Sequence, residues 1–214
     1  MTAAIRRLDG SRAARGRKGH AFVVSSPSGG GKTTVVERLL ERLPGLVRSV
    51  SVTTRAPRAG EQPGRDYHFI APSAFARMRR DGQLLEWATV HGASYGTPKA
   101  PVLHALADGR NVVLSIDVQG ARQVRRLLGR RAILVFLLPP SLLALRRRLQ
   151  RRRTESPGAM QRRLAVAKRE MGCASWYDAV VVNDQLEQAV RQMASIVRAA
   201  RQRKRRRGHG PGTD

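Results

Sequence analysis

The chain predicts an α/β fold in which a parallel sheet is flanked by helices, and three observations predict it. Short, almost wholly apolar runs recur at 21–24, 111–117, 132–138 and 179–182, each of a length that suits a strand buried on both faces. Stretches with helical spacing lie between them, and strands that alternate with helices pair in parallel through crossovers. The first run leads directly into Ser25-Ser26-Pro27-Ser28-Gly29-Gly30-Gly31-Lys32-Thr33-Thr34, the strand, glycine-rich turn and helix start of a P-loop.

The elements follow in order. Residues 1–18 are basic and poor in apolar side chains, and are expected to be a disordered arm. Ala21-Phe22-Val23-Val24 is the first strand, and Val35, Val36, Leu39, Leu40 and Leu43 give the P-loop helix its apolar stripe. Pro44-Gly45 breaks it. Residues 46–53 alternate as one strand, 54–66 form a polar stretch with two prolines and two glycines, and Tyr67-His68-Phe69-Ile70 is a short strand. Pro72-Ser73 opens a helix that ends near Asp81-Gly82, Leu84 to Val90 is a further strand, and 99–107 suit a helix. Asn111 to Asp117 is expected as one strand, which would turn residues 115 and 117 to the same side. A helix over 119–128 precedes the strand Ala132 to Leu138, which Pro139-Pro140 stops. Ser141 is the N-cap of a helix carrying Leu142, Leu145 and Leu149. An Arg-rich linker at 151–158, a helix to about Met171, the strand 179–182 and a helix over 184–204 complete the chain, with a basic tail at 204–214.

Two stretches carry chemistry. In the P-loop, Ser26, Pro27, Ser28, Gly29, Gly30 and Gly31 can turn backbone N–H groups toward one point, and the helix N-terminus adds partial positive charge. Lys32 can reach the β- and γ-phosphates, and the Thr33 hydroxyl, beside Thr34, can hold Mg²⁺. The strict pattern has glycine where this chain has Ser26. The segment 51–97 offers Ser51, Arg55, Arg58, Tyr67, Tyr95 and Thr97, a set suited to a phosphate monoester dianion. Glu86 lies in the apolar pattern Leu84-Leu85-Glu86-Trp87. A carboxylate there can accept from both N1–H and the N2 amino group of guanine, whereas adenine offers an acceptor that it repels. The pattern alone reads equally as an exposed strand residue. Asp117 is the acid that a phosphoryl-transfer site places beyond a buried strand, or a turn-forming Asp.

With these motifs the chain resembles the guanylate kinases over roughly residues 19–203. The matching stretches are the P-loop, Ser51-Val52-Thr53-Thr54-Arg55-Ala56-Pro57-Arg58-Ala59-Gly60-Glu61, Arg65-Asp66-Tyr67-His68-Phe69, Leu85-Glu86-Trp87-Ala88, Tyr95-Gly96-Thr97, Ile116-Asp117-Val118-Gln119-Gly120, Pro139-Pro140-Ser141, Thr154-Glu155 and Val182-Asn183-Asp184. The resemblance implies a P-loop core with an inserted GMP-binding subdomain at about 51–98 and a small helical lid at about 150–168. It implies ATP-dependent phosphorylation of GMP, and of dGMP, with Mg²⁺ as cofactor. Arg55, Arg58, Tyr67 and Tyr95 would bind the GMP phosphate, and Ser51, Glu86, Thr97 and Asp117 would surround the guanine. Arg148, Arg152 and Arg163 would meet the ATP phosphates on lid closure, and Asn183 would join the ATP site. The chain departs from the family at Ser115, where an acid is usual, at Arg153, where the lid usually has glycine, and at Ser94, usually tyrosine.

Composition bounds the rest. The 214 residues suit one nucleotide-binding domain, and the lone Cys173 excludes an internal disulfide, which fits a cytoplasmic protein. No apolar stretch reaches the length of a membrane span. The charge is extreme, with 41 Lys+Arg against 15 Asp+Glu. Residues 1–18 hold six basic side chains against Asp9 alone, and 198–214 hold seven against Asp214. These ends read either as solvated tails or as contacts for nucleic acid or another polyanion. Two other classes stay open: a non-catalytic binding module of guanylate-kinase-like fold, and a nucleic-acid-associated P-loop protein.

Overall fold

The computed structural model describes residues 18–90, 92–150 and 157–206. Most of the basic arm and of the basic tail, and Arg152 and Arg153 of the expected lid, lie outside the described residues.

Five strands form a wholly parallel sheet: β1 (Ala21–Ser25), β2 (Leu46–Arg48), β7 (Asn111–Ser115), β8 (Ala132–Leu138) and β9 (Ala179–Val182), in the order β2-β7-β1-β8-β9. Strict alternation divides their side chains between two cores. Phe22, Val24, Val135 and Leu137 face α1 (Lys32–Arg42) and α7 (Leu186–Arg206). Ala21, Val23, Leu134 and Phe136 face α3 (Lys99–Ala107) and α4 (Val118–Leu128). Because both faces of β1, β7 and β8 are covered, these strands are largely apolar runs, which is why they were legible.

A second, mixed sheet has the order β4-β3-β6-β5. It contains β3 (Ser51–Thr53), β4 (Tyr67–Phe69), β5 (Leu84–Val90) and β6 (Ala93–Pro98), with α2 (Pro72–Arg80) between β4 and β5. The stretch 46–53 is therefore two strands, not one. β2 pairs with β7 in the first sheet and β3 with β4 and β6 in the second, so the chain changes sheets at Ser49-Val50. Alternation in the sequence cannot reveal such a change, because it does not show which sheet a segment joins. β6 is an element that local pattern does not suggest.

Two boundaries also move. β7 ends at Ser115, and Asp117 lies beyond it as the N-cap of α4, its Oδ1 accepting from the Gly120 N–H at 2.8 Å. Strand alternation thus does not relate residues 115 and 117, although both line the same cleft. α7 continues to Arg206, into the stretch expected as tail, consistent with the good helix propensity of Lys and Arg.

α5 (Leu142–Gln150) starts after Ser141, whose Oγ accepts from the Ala144 N–H at 3.0 Å. α6 (Pro157–Gly172) packs back on it through Met160, Leu164 and Ala167 against Leu145 and Leu149. Among the described residues, no helix is long and apolar enough to cross a membrane.

Candidate active site

A cleft of about 240 Å³ opens where β1 and β7 end beside the second sheet. Its floor is the P-loop, residues 26–34. Gly29 and Gly31 have φ of 84° and 87°, left-handed values that a side chain would strain. A Cβ on Gly31 would also lie 2.5 Å from Asn183 Nδ2, and one on Gly30 would lie 2.9 Å from Ser26. Ser26 is accommodated in place of the usual glycine because Gly30 leaves it room; it is buried, its Oγ donating to the Pro27 carbonyl. Gly31 caps α1 without a side-chain hydrogen bond, so the first N–H groups of that helix keep their affinity for an anion.

Lys32 is half-buried, and desolvation lowers its pKa, opposed by the carboxylates of Glu170 and Asp117. A lysine held in this way carries a charge poorly hydrated by its surroundings, which an incoming phosphate would meet at full strength. The loop is braced from behind. Asn183 Nδ2 donates to the Gly30 carbonyl at 2.8 Å, and Arg148 donates to the Asn183 carbonyl at 2.7 Å. Arg163, on α6, donates to Ser28 Oγ at 2.6 Å.

The opposite wall carries Glu86, only 4% exposed on β5. Thr97 donates to its Oε1 at 2.5 Å, and Ser51 lies 3.5 Å from the same Thr97 hydroxyl. Burial pushes the carboxyl up to about 7, with the Asp117 carboxylate adding to the effect and the Thr97 bond opposing it. Gly120 makes the site: a Cβ there would lie 2.1 Å from Glu86 Oε2. A buried carboxylate with unspent acceptor capacity demands a ligand that donates.

Between the walls stand Arg55 and its partners. Arg55 Nε donates to Tyr95 Oη at 3.1 Å, and its guanidinium lies 5.1 Å from the centre of the Tyr67 ring. Both terminal nitrogens of Arg55 donate to Glu61 at 2.6 Å. Glu61 also accepts from the Arg58 N–H at 2.9 Å, and this bonding holds its carboxyl below the usual range while raising the pKa of Arg55. Arg58 lines the cleft beside them.

A phosphate cradle and a donor-seeking carboxylate thus share one cleft, and comparison with known proteins fits that geometry. The family profile described as "Guanylate kinase" matches residues 18–200. The chain belongs to the guanylate kinase family. It is 50% identical over 182 residues to a guanylate kinase of Dechloromonas aromatica, covering 85% of this chain and 90% of the relative. It is equally 50% identical to one of Nocardia farcinica, over 84% of this chain and 94% of the relative. The crystal structure of guanylate kinase from Anaplasma phagocytophilum superposes with a TM-score of 0.73 at 35% identity, over 86% of each chain. The α/β fold with a parallel core sheet is therefore that of the family.

Of the residues singled out in the sequence, the P-loop, Ser51, Arg55, Arg58, Tyr67, Glu86, Tyr95, Asp117 and Arg163 come together on the cleft wall. Thr97 stands behind Glu86, and Arg148 and Asn183 stand behind the loop. Arg152 is outside the described residues. Sequence reasoning gave no role to Glu61, Gly120 or Glu170. For Glu61 a signal existed: it follows Arg55 and Arg58 at steps of three. Gly120 and Glu170 act on residues 34 and more than 100 positions away, and no local pattern points to them.

Proposed function

We propose that the protein transfers the γ-phosphoryl group of ATP to GMP, giving ADP and GDP, and that the P-loop and the Glu86 pocket hold the two substrates. The observation that carries this reading is the pairing, in one cleft, of a glycine cradle with a lysine and a buried carboxylate that can accept from guanine. In this reading residues of about 51–98 hold GMP and the stretch at about 150–168 is the lid. Arg55, Arg58, Tyr67 and Tyr95 take the GMP phosphate, and Ser51, Glu86, Thr97 and Asp117 surround the base. The groups named address base and 5′-phosphate, so dGMP is a substrate as well.

The protein's task is alignment and charge neutralisation. The GMP phosphate is already ionised, so no general base is required. The P-loop N–H groups and Lys32 hold the ATP phosphates in line with it, and the lid-side arginines Arg148, Arg152 and Arg163 balance the transferring charge. Closure excludes water, which would otherwise hydrolyse ATP. Mg²⁺-ATP is the donor typical of the family. The hydroxyls of Thr33 and Ser115 and the Asp117 carboxylate line one cleft. Among the described residues, no group of three or more His, Cys, Asp or Glu is placed to hold a metal ion by itself. Such an oxygen set suits a cation that relies on phosphates and water for most of its ligands. Thr33, Ser115 and Asp117 would hold Mg²⁺ with the nucleotide, and the ion would supply positive charge against the phosphates.

ADP release measured with GMP, dGMP, AMP, CMP and UMP tests the reading. Turnover with the guanine nucleotides and little with the rest is expected; no turnover with any would favour the non-catalytic module. The basic ends, residues 1–18 and 204–214, are assigned to non-specific contact with polyanions. Their removal is expected to weaken retention on heparin or RNA and to leave GMP turnover intact; unaltered retention would refute that assignment.

A further inference from the structure

Glu61 is assigned no contact with either substrate, yet it holds the arginine at the centre of the phosphate site. Arg55, Arg58, Tyr67 and Tyr95 line the cleft, and Glu61 lies outside that lining. A turn brings it there. The Glu61 N–H donates to the Arg58 carbonyl at 3.1 Å, and Gly60, third of the four residues, has φ of 84°, a positive value that glycine supplies without strain. The turn folds the Glu61 carboxylate back. Its Oε2 accepts from the Arg58 N–H at 2.9 Å and from Arg55 Nη1 at 2.6 Å, and its Oε1 accepts from Arg55 Nη2 at 2.6 Å.

This grip nearly exhausts the donors of Arg55. A guanidinium has five N–H groups. One on Nη1 goes to the Ala56 carbonyl at 2.9 Å, one on each terminal nitrogen goes to Glu61, and the one on Nε goes to Tyr95 Oη at 3.1 Å. The rings of Tyr67 and Phe69 lie with their centres 5.1 and 5.7 Å from the same guanidinium. Among the described residues, a single N–H of Arg55, on Nη2, is left for a ligand. Tyr95 Oη accepts from Arg55, so its own proton is turned away from the guanidinium and is free to be donated within the cleft that Tyr95 lines.

We propose that Glu61 is a positioning residue for the GMP phosphate, acting through Arg55 on the Tyr95 hydroxyl. Its two-point grip fixes the guanidinium plane, so that Nε faces Tyr95 Oη and the Tyr95 O–H is left as a donor to a phosphate oxygen. Arg58, whose backbone the same carboxylate holds, lines the cleft and meets the phosphate directly. Two effects of opposite sign compete here. A carboxylate near the site repels an incoming dianion, and a group ordered in advance removes an ordering cost from binding. Order prevails because the Glu61 charge is already matched by a bidentate arginine, the geometry that such pairs favour, with side chains only 14% exposed for Arg55 and 19% for Glu61.

The proposal rests on the reading of the cleft as the GMP site, and its test separates the two. GMP binding is measured calorimetrically, and KM for GMP and for ATP by ADP release, with a melting curve for each protein. The proteins are the wild type, Glu61→Ala, Glu61→Gln, Tyr95→Phe, Arg58→Ala and the double variant Glu61→Ala/Tyr95→Phe. Glu61→Ala and Glu61→Gln should each weaken GMP by on the order of tenfold, with KM for ATP unmoved. In the Tyr95→Phe background the same Glu61→Ala change should weaken GMP by less than about threefold, because the hydroxyl through which it acts is gone. Unchanged or tighter GMP binding in Glu61→Ala would mean that repulsion outweighs order. A loss equally large with and without the Tyr95 hydroxyl would mean that Glu61 only supports the turn. Either result overturns the proposal. A GMP affinity that neither Arg58→Ala nor Tyr95→Phe reduces would instead overturn the placing of the GMP phosphate here, and this proposal with it.

Discussion

The most informative single change is Glu86→Gln, because it should improve stability and damage function by amounts that both follow from burial. The Glu86 carboxyl is displaced from an ordinary 4.5 to about 7. At one pKa step per about 1.4 kcal/mol, that displacement makes the ionised form about 3 kcal/mol less favourable in the folded protein than in the unfolded chain. The sign follows from the folded value being the higher one. Stability linked to Glu86 is fully present below 4.5, declines as the pH rises, and is lost above about 7. Glutamine carries no charge to desolvate, so the variant should gain on the wild type as pH rises from 5 to 8. The upper limit is about 3 kcal/mol, or on the order of 10 °C in Tm for a chain of this size. The same change turns one acceptor oxygen into a donor facing the donors of guanine. A site built on hydrogen bonds rejects a mismatched partner by on the order of 10²-fold or more, so GMP should weaken by that much, and AMP less. GMP needs the ionised form, so wild-type KM for GMP should rise as pH falls below about 7, while the variant's should be flat. Melting curves and GMP titrations between pH 5 and 8 check both halves. A stability difference independent of pH, or an unchanged preference for GMP, would refute the reasoning.

Three further changes probe the rest of the cleft. Lys32→Ala should retain the fold and lose on the order of 10²-fold or more in kcat; turnover near the wild type would reject its role. Gly120→Ala would ordinarily favour a helix by about 1 kcal/mol. Here its Cβ would meet Glu86 Oε2 at 2.1 Å, so KM for GMP should rise at least about tenfold while ATP affinity holds, as steady-state kinetics would report. Ser115→Asp adds an acid to the cleft near Thr33 and should shift the Mg²⁺ activation curve to lower concentration. An unshifted curve with a lowered Tm would mean that residue 115 only packs beneath the loop.

The parallel core was legible because its central strands, β1, β7 and β8, are buried on both sides. A wholly apolar run such as Ala132 to Leu138 is too short to span a membrane and too apolar for a strand with one wet face. The P-loop was legible because its chemistry is contiguous. The second sheet was less so. Ser94, Gly96, Thr97 and Pro98 are mostly weak strand formers, and β6 exists through its pairing with β5 and β3, which no local window contains. Glu86 was balanced between an exposed strand residue and a site, and its burial excludes the first. The partners that give it meaning, Thr97 and Gly120, lie 11 and 34 positions away. Asp117 lines the cleft but as a helix cap and not as the end of a strand, since capping and strand-end acids look alike in a one-dimensional pattern.

One contact has an engineering consequence. Gln123 of α4 accepts from the Trp87 N–H at 3.1 Å and donates to the Trp87 carbonyl at 2.7 Å, imitating a neighbouring strand along the outer edge of β5. One turn earlier, Gly120 leaves the space that Glu86 fills. On the proposed reading, base preference is thus written jointly by the inserted sheet and by a helix of the core. A chimera that exchanged only residues 51–98 with another kinase would leave an unmatched seam at β5 and a carboxylate with no room. Transplanting substrate choice requires carrying the first two turns of α4 along with the insert.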